Sequence, residues 1–245
     1  LYIGNKNYSS WSMRPWVLMR QAGISFEELT LRFDSFAPDS SFKLQALALA
    51  PTGKVPLLVD EGLIIWDSLA ICEYLAERFP DKHLWPQTVA QRARARSLVA
   101  QMHSGFGALR SFCPMNIEAQ LQETGARLWA EHADLRSDVQ QLEELWTPLL
   151  SAASGPMLFD QFSIADAFFA PVCMRINSYG LPTSAPVRAY VQRVTQLPAT
   201  QEWIQAALAE QGFLQFEEPY RQRRGGLAPA IAVSAGPLAA TTIAA

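Results

Sequence analysis

Apolar residues change their spacing near residue 83 of this chain. Before that point, short apolar runs of strand length alternate with helical patterns, and after it apolar residues recur every three or four positions. Alternation at period two is typical of strands, whereas a repeat near 3.6 is typical of helices. The pattern therefore predicts two domains, a mixed α/β domain over residues 1–82 and an all-helical domain over residues 83–224.

The first region predicts the element order β-α-β-α-β-β-α. Pro15 is tolerated in the first turn of a helix, and Gly23 supplies a C-terminal stop. A tight turn at Glu61-Gly62 joins the last two strands as a hairpin. The predicted segments are a strand at 1–4, a helix at 15–22, a strand at 26–33, a short helix or loop at 40–50, a hairpin at 57–66 and a helix at 68–78.

The second region predicts a bundle of five helices, because the strand signals end there. One helix begins with a capping box, in which Ser163 is the N-cap and Asp166 follows three residues later. Such a cap stabilises a helix by about 1 kcal/mol, and both residues are interpreted as folding determinants. Residues 225–245 are expected to be a disordered tail. The predicted helices span 88–112, 123–152, 163–179, 185–197 and 199–210.

Two residue pairs at the ends of the hairpin indicate a binding site. Val55-Pro56 precedes the first strand of the hairpin, and proline there cannot donate a hydrogen bond to a neighbouring strand. A cis bond between the two residues would leave the Val55 amide and carbonyl free to pair with an extended peptide. Asp67-Ser68 begins the next helix, where a carboxylate can accept an amine and the hydroxyl and amides can bind a carboxylate. Each pair alone is also compatible with a strand edge or a plain helix cap. Together they predict a site for a small zwitterionic peptide.

Composition narrows the range of functions. With 49% apolar residues, the 245-residue chain can bury a sizeable core. A net charge of −3 and a pI near 5.7 argue against a nucleic-acid partner. The sequence shows no signal peptide or membrane-spanning run, and its three separated cysteines predict reduced, buried thiols of a cytoplasmic protein. Its three histidines are not spaced as metal ligands and no Cys-x-x-Cys occurs, so no metal site is expected.

With these two residue pairs and this element order, residues 1–82 resemble the thioredoxin-like domain of glutathione transferases. With the helical domain included, the resemblance spans residues 1–218. It implies glutathione as co-substrate with no separate cofactor, a small electrophile as second substrate, no membrane partner, a homodimer and a role in detoxification. It further implies that glutathione is held by Lys43, Val55, Pro56, Asp67 and Ser68.

The loop before the first helix carries the candidate chemistry. A thiolate beside a helix N-terminus is favoured by the helix dipole and the free amides, and a serine hydroxyl can donate to the sulfur. The Ser-Ser-x-x-x-Arg spacing of Ser9, Ser10 and Arg14 is similar to that of zeta-class transferases. Ser9 lies where thioredoxin-like relatives carry a nucleophilic cysteine, so it is the first candidate for stabilising the thiolate and Ser10 is the second. Both serines are also compatible with plain helix capping.

The resemblance implies that the electrophile lies against the helical domain, with Trp11, His103 and Phe106 as candidate lining residues. The expected reaction is transfer of the glutathione thiolate to a small electrophile. The Ser-Ser motif leaves a glutathione-dependent cis–trans isomerase of maleylacetoacetate type as one alternative. A non-catalytic, transferase-like scaffold protein is the other. Serine in place of cysteine at positions 9 and 12 argues against a dithiol redox enzyme.

Overall fold

The computed structural model describes residues 1–224 of the chain, so the tail predicted at 225–245 lies outside the described residues. In the first domain, strands β1 to β4 span Tyr2–Ile3, Leu29–Thr30, Leu57–Asp60 and Leu63–Trp66, and helices α1 to α3 span Ser10–Gln21, Ser41–Leu49 and Ser68–Arg78. The strands form one sheet in the order β2-β1-β3-β4. β1 runs parallel to β2 and antiparallel to β3, and β3 and β4 form the hairpin. The predicted thioredoxin-like order is therefore confirmed.

Helix α1 begins at Ser10, before the start predicted at Pro15. The Met13 N–H donates to the Ser9 carbonyl oxygen at 3.2 Å, which makes Ser9 the N-cap residue. Pro15 lies inside the helix, where its missing N–H leaves one helical hydrogen bond unmade. As a result, Ser9 and Ser10 stand at the N-terminus of α1.

The helices of residues 83–224 number seven rather than the predicted five. The helix predicted over 88–112 is broken where Phe106 takes a left-handed φ of 55°, and the one predicted over 123–152 is broken at His132. Apolar periodicity continues through both breaks, so the pattern alone does not reveal them. Within residues 1–224, no helix combines the length and apolar character needed to cross a bilayer. Helices α4 to α10 span Val89–Ser104, Gly107–Phe112, Gln122–Glu131, Ala133–Ala152, Ile164–Tyr179, Ala185–Gln196 and Pro198–Glu210.

One apolar core joins the two domains, and α8 lies at its centre. The predicted capping box begins α8, where the Ser163 N–H donates to Asp166 Oδ2 at 2.9 Å. Helices α1 and α4 both pack on α8. As a result, Arg14 of α1 and His103 of α4 both lie against the ring of Phe168. This packing brings the N-terminus of α1 and the end of α4 together at the cleft between the domains.

Beyond α10 the chain returns to the first domain. Residues 212–224, which we call the C-terminal strap, contain a 3₁₀ turn at Gln215–Glu217. Phe216 of the strap packs edge-to-face on Phe36, with ring centroids 5.1 Å apart. The Leu214 N–H donates to the Tyr8 hydroxyl at 3.3 Å. The strap therefore contacts the loop that leads into α1.

Candidate active site

A cavity of about 400 Å³ opens between the hairpin of the first domain and α4 of the second. All but two of its lining residues belong to residues 52–68, because the hairpin brings the two ends of that segment together. Leu57 pairs with Trp66, so Pro56 and Asp67 are the next residues on either side of the pair. The cavity is lined by Trp11, Thr52, Lys54, Val55, Pro56, Trp66, Asp67, Ser68 and His103.

The Val55–Pro56 turn forms one wall of the cavity, and its peptide bond is cis. Both side chains are buried. Trp66 lies across the hairpin from this turn, lines the cavity and is 44% exposed. Sequence reasoning missed Trp66, although its position directly before Asp67 was a usable signal.

Two lysines near this turn have different positions. Lys43 does not line the cavity; its ammonium group donates to the carbonyl oxygens of Thr52 at 3.3 Å and Gly53 at 3.0 Å, and so it supports the turn. Lys54 lines the cavity and is exposed. The sequence reasoning named Lys43 and overlooked Lys54, which is next to Val55 and lines the cavity.

Asp67 is the N-cap of α3 and has a φ of 77°, a conformation that is unfavourable for a residue with a side chain. Its Oδ1 accepts the N–H groups of Leu69 at 2.7 Å and Ala70 at 3.3 Å. Its Oδ2 lies 3.3 Å from His103 Nε2. Burial raises the pKa of Asp67, but the hydrogen bonds from His103 and the two amides outweigh burial and hold it below its ordinary value. The carboxylate is therefore ionised at neutral pH.

Ser68 is buried at the start of α3, and its hydroxyl accepts a hydrogen bond from Arg14 Nη1 at 3.4 Å. The Arg14 guanidinium is 4.0 Å from the centre of the Trp11 ring and 4.8 Å from that of Phe168. Its Nε has no hydrogen-bond partner within residues 1–224. A buried cation that is held mainly by aromatic rings thus lies directly behind the cavity wall.

Two further arginines lie near Arg14. Arg110 is 5.2 Å from the centre of the Trp11 ring, and Arg175 is 4% exposed. Burial lowers the pKa of Arg14 well below its ordinary value, and the charges of Arg110 and Arg175 lower it further. Burial and the charge of Arg110 lower the pKa of Arg175 to about 10. Because arginine stays protonated in proteins, the side of the cavity formed by Trp11 and Ser68, with Arg14 behind it, is electropositive.

Ser9 and Ser10 directly precede Trp11 but do not themselves line the cavity. The Ser9 hydroxyl is buried and lies 2.7 Å from Ser12 Oγ, which accepts the Gly4 N–H at 3.2 Å. The Ser10 hydroxyl accepts a hydrogen bond from Arg175 Nη2 at 3.4 Å. Both serines are therefore at the helix N-terminus beside the cavity, and each hydroxyl is held by one identified neighbour.

The three residues expected to line an electrophile pocket are separated by the structure. Trp11 and His103 do line the cavity, and their rings meet edge-to-face with centroids 5.1 Å apart. His103 lies against Asp67, so it contacts the part of the cavity that Asp67 lines. Phe106 is 2% exposed and packs in the core, because the left-handed turn after α4 directs it there. Phe106 therefore does not line this cavity.

Within residues 1–224, no three His, Cys, Asp or Glu side chains are grouped so that they could hold a metal ion.

Residues 8–78 match the family described as glutathione S-transferase, N-terminal domain. The chain is 30% identical to glutathione S-transferase 1 of Dianthus caryophyllus over 183 residues, which cover 74% of this chain and 79% of the relative. It is also 25% identical to a stringent starvation protein A homolog of Haemophilus ducreyi over 186 residues, which cover 74% of this chain and 78% of that protein.

A similar solved structure is that of a glutathione transferase homolog from Burkholderia with bound glutathione. The two structures superpose with a TM-score of 0.64 at 24% identity, over 85% of this chain and 97% of the other. At 24% sequence identity, this structural similarity establishes that the chain has the same two-domain fold.

Proposed function

This chain belongs to the glutathione transferase family, and we propose that its cavity binds glutathione and that the protein transfers the glutathione thiolate to a small electrophile. One observation carries the proposal. The Val55–Pro56 turn and the Asp67–Ser68 helix start lie side by side in one cavity, next to residues at the N-terminus of α1. An acceptor for an amine, donors for a carboxylate and a helix N-terminus for a thiolate are thus combined at one site.

Glutathione is a zwitterionic peptide, and its polar groups have partners along the wall formed by residues 52–68. The Asp67 carboxylate accepts the ammonium group, and Ser68 binds the carboxylate next to it. The Val55 backbone pairs with the peptide as an added strand would. The exposed ammonium group of Lys54 supplies positive charge for the glycyl carboxylate, while Lys43 holds the turn below it.

Ser9 is the proposed donor to the sulfur, because its hydroxyl stands at the N-terminus of α1. Its hydroxyl donates to Ser12 Oγ at 2.7 Å, so donation to a thiolate requires this hydroxyl proton to turn from Ser12 to the sulfur. Ser10 is the second candidate, because its oxygen accepts from Arg175 Nη2, which leaves its own proton available to a sulfur. The dipole of α1 and the buried arginines add to the stabilisation of the thiolate.

The electrophile is proposed to enter between Trp11 and His103, close to the bound thiolate. Holding the two reactants together and stabilising the thiolate would provide most of the rate acceleration. The protein supplies no covalent nucleophile in this scheme, and glutathione is a co-substrate rather than a bound cofactor.

A homodimer and a cytoplasmic, detoxifying role complete the proposal. Apolar side chains on the edge strand β4 support the dimer, since Leu63 is 52% exposed and Ile64 is 37% exposed. Exposed apolar residues that lie close together are typical of protein interfaces. The three buried, free thiols are compatible with a reducing compartment.

Two other functions have a specific observation in their favour. The Ser9-Ser10 pair favours a glutathione-dependent cis–trans isomerase of maleylacetoacetate type. The similarity to a stringent starvation protein A homolog favours a transferase-like scaffold protein without useful catalysis. Assays with a maleyl substrate and with a chlorodinitrobenzene-type acceptor separate the three, because a scaffold protein turns over neither.

Calorimetric titration with glutathione tests the proposal on the native chain, Asp67→Ala and Ser9→Ala. The native chain is expected to bind, and Asp67→Ala is expected to lose at least about tenfold in affinity through loss of a charge-assisted contact. Ser9→Ala is expected to bind normally without lowering the pKa of the bound thiol. Asp39→Ala, which removes an exposed carboxylate outside the cavity, is the matched control. Absence of native binding at about millimolar glutathione would reject the enzyme and favour the scaffold protein.

A further inference from the structure

The loop that leads to Ser9 is held in place by the helical domain. The Lys6 N–H donates to Glu210 Oε1 at 2.9 Å, a contact between residues 204 positions apart. Trp203 Nε1 donates to the Lys6 carbonyl oxygen at 3.0 Å. The position of the loop therefore depends on the second domain as well as on the strand that precedes it.

The residue directly before Ser9 is bound to the C-terminal strap. Tyr8 is 6% exposed, and its hydroxyl donates to Glu218 Oε1 at 2.7 Å across 210 positions of sequence. The same hydroxyl accepts the Leu214 N–H at 3.3 Å. Contacts with the strap thus fix the side chain next to the proposed thiolate donor.

Glu218 belongs to a ring of polar contacts that returns to the same loop. Arg221 Nε donates to Glu218 Oε2 at 2.8 Å, and Arg221 Nη1 donates to Glu118 Oε1 at 3.3 Å. The Glu118 N–H donates to Asn7 Oδ1 at 2.9 Å. Asn7 is the neighbour of Tyr8, so the ring starts and ends on adjacent residues of the Ser9 loop.

The ring joins the strap to the loop through two buried charged residues. Glu218 and Arg221 are 2% and 5% exposed, so both charges are removed from water. Buried ion pairs are often no more stabilising than apolar residues of the same size, whereas their hydrogen bonds fix one geometry. A hydroxyl that must donate to a thiolate needs a defined position, because small displacements strongly reduce rates.

We propose that Tyr8 and Glu218 are positioning residues, which hold the Ser9 loop against the C-terminal strap in the geometry that ionises bound glutathione. The inference rests on the proposed function. Neither residue touches the substrate in this scheme, and both act through the loop that carries Ser9.

The experiment compares the native chain with Tyr8→Phe and with Tyr220→Phe. Tyr220 is a matched control because it also lies in the strap and also donates its hydroxyl proton, at 2.7 Å, but to the Phe112 carbonyl oxygen instead of a group bound to the loop. For each protein, calorimetry gives glutathione affinity, and ultraviolet absorbance of the bound thiolate against pH gives the pKa of the bound thiol.

Tyr8→Phe is expected to raise the pKa of bound glutathione by about one unit, a tenfold loss of thiolate below that pKa, with affinity unchanged within about twofold. Tyr220→Phe is expected to keep the native pKa of the bound thiol. Glu218→Gln is expected to shift this pKa in the same direction as Tyr8→Phe, and unfolding curves identify any variant that fails to fold.

The outcomes separate this inference from the function on which it rests. If the native chain binds glutathione and lowers the pKa of its thiol, but Tyr8→Phe matches Tyr220→Phe, the positioning role is wrong and the transferase proposal stands. If Tyr8→Phe changes the melting temperature but not the pKa of the bound thiol, the strap contributes to stability only, and the positioning role is again wrong. If the native chain does not bind glutathione, the proposed function and this inference both fail.

Discussion

Asp166 at the start of α8 and Arg14 behind the cavity wall are both fully buried charged residues. They differ in how many of their polar atoms have hydrogen-bond partners. Asp166 accepts hydrogen bonds from the Ser163 N–H, the Leu158 N–H and the Tyr190 hydroxyl. Arg14 makes one long hydrogen bond through Nη1, and its Nε has no partner within residues 1–224. Burial raises the pKa of Asp166 and lowers that of Arg14, so it disfavours both charges.

The difference between these residues separates folding from function. A buried charge that stabilises a fold normally has its hydrogen-bonding capacity filled, as at the capping box. An incompletely paired charge is unfavourable and tends to persist where its electric field serves chemistry. Arg14 lies behind Trp11 and Ser68, both of which line the cavity. We therefore expect Asp166 to determine stability and Arg14 to determine activity.

The largest expected effect is on stability, from Asp166→Ala. This change leaves the Ser163 N–H, the Leu158 N–H and the Tyr190 hydroxyl without their buried acceptor, and we expect the free energy of unfolding to fall by about 3 kcal/mol. Urea unfolding measures it. The control Ser163→Ala removes one hydroxyl of the same cap and should lower the free energy of unfolding by about 1 kcal/mol. Equal losses for the two variants would contradict the central role of the carboxylate.

Arg14→Met tests whether Arg14 determines activity rather than stability. Methionine keeps much of the apolar volume and removes an incompletely paired cation, so the free energy of unfolding should stay within about 1 kcal/mol of the native value. The transfer rate should fall by about 100-fold, because the positive field at the thiolate is weakened. The measurements are urea unfolding and kcat/KM with a chlorodinitrobenzene-type acceptor. Arg20→Met, on the exposed face of the same helix, is the control. A loss of stability as large as that of Asp166→Ala would make Arg14 a folding residue.

Glu217 in the C-terminal strap is a third group whose charge is disfavoured by burial. Burial, together with the charge of Glu218, raises its pKa from 4.5 to about 7, and Arg175 opposes the shift. Between those values the folded protein binds more protons than the unfolded chain, so stability falls as pH rises through this window and the full loss is present above it.

Glu217→Gln should therefore flatten the pH dependence of stability across that window. At pH values above the window, the variant should be more stable than the native chain by about 2 kcal/mol, the order expected from such a shift in a partly buried group. Thermal unfolding across the pH range measures it. A native chain whose stability does not fall as pH rises from 4.5 to about 7 would contradict the shift.

The smallest expected effect separates the two lysines near the Val55–Pro56 turn. Lys54→Met should weaken glutathione binding by about threefold to tenfold, in line with the modest strength of exposed charge contacts. Lys43→Met should leave the affinity closer to native, because Lys43 contacts backbone carbonyl groups instead of the cavity. Calorimetry on the two variants measures the difference, and a larger loss for Lys43→Met would favour the role that the sequence predicts for Lys43.

Much of the first domain could be predicted from the sequence, since its elements have local signals. The bounds of α3, Ser68–Arg78, match the prediction, because Asp67 supplies an N-cap directly before an apolar run. The start of α1 was misplaced because a proline that normally marks a first turn lies farther inside the helix. In the second domain, the breaks at Phe106 and His132 were missed because apolar periodicity runs through them.

The sequence by itself determined the wall of the cavity that carries Val55–Pro56 and Asp67–Ser68. These pairs flank one hairpin, and the antiparallel register that joins Leu57 to Trp66 brings its flanks together. Only the tertiary structure decided the opposite side: the contact of His103 with Asp67, the cluster of Arg14 and Arg175, and the ring through Glu218. Those contacts join residues far apart in sequence, and their geometry depends on where helices break and how they pack, which no local pattern encodes.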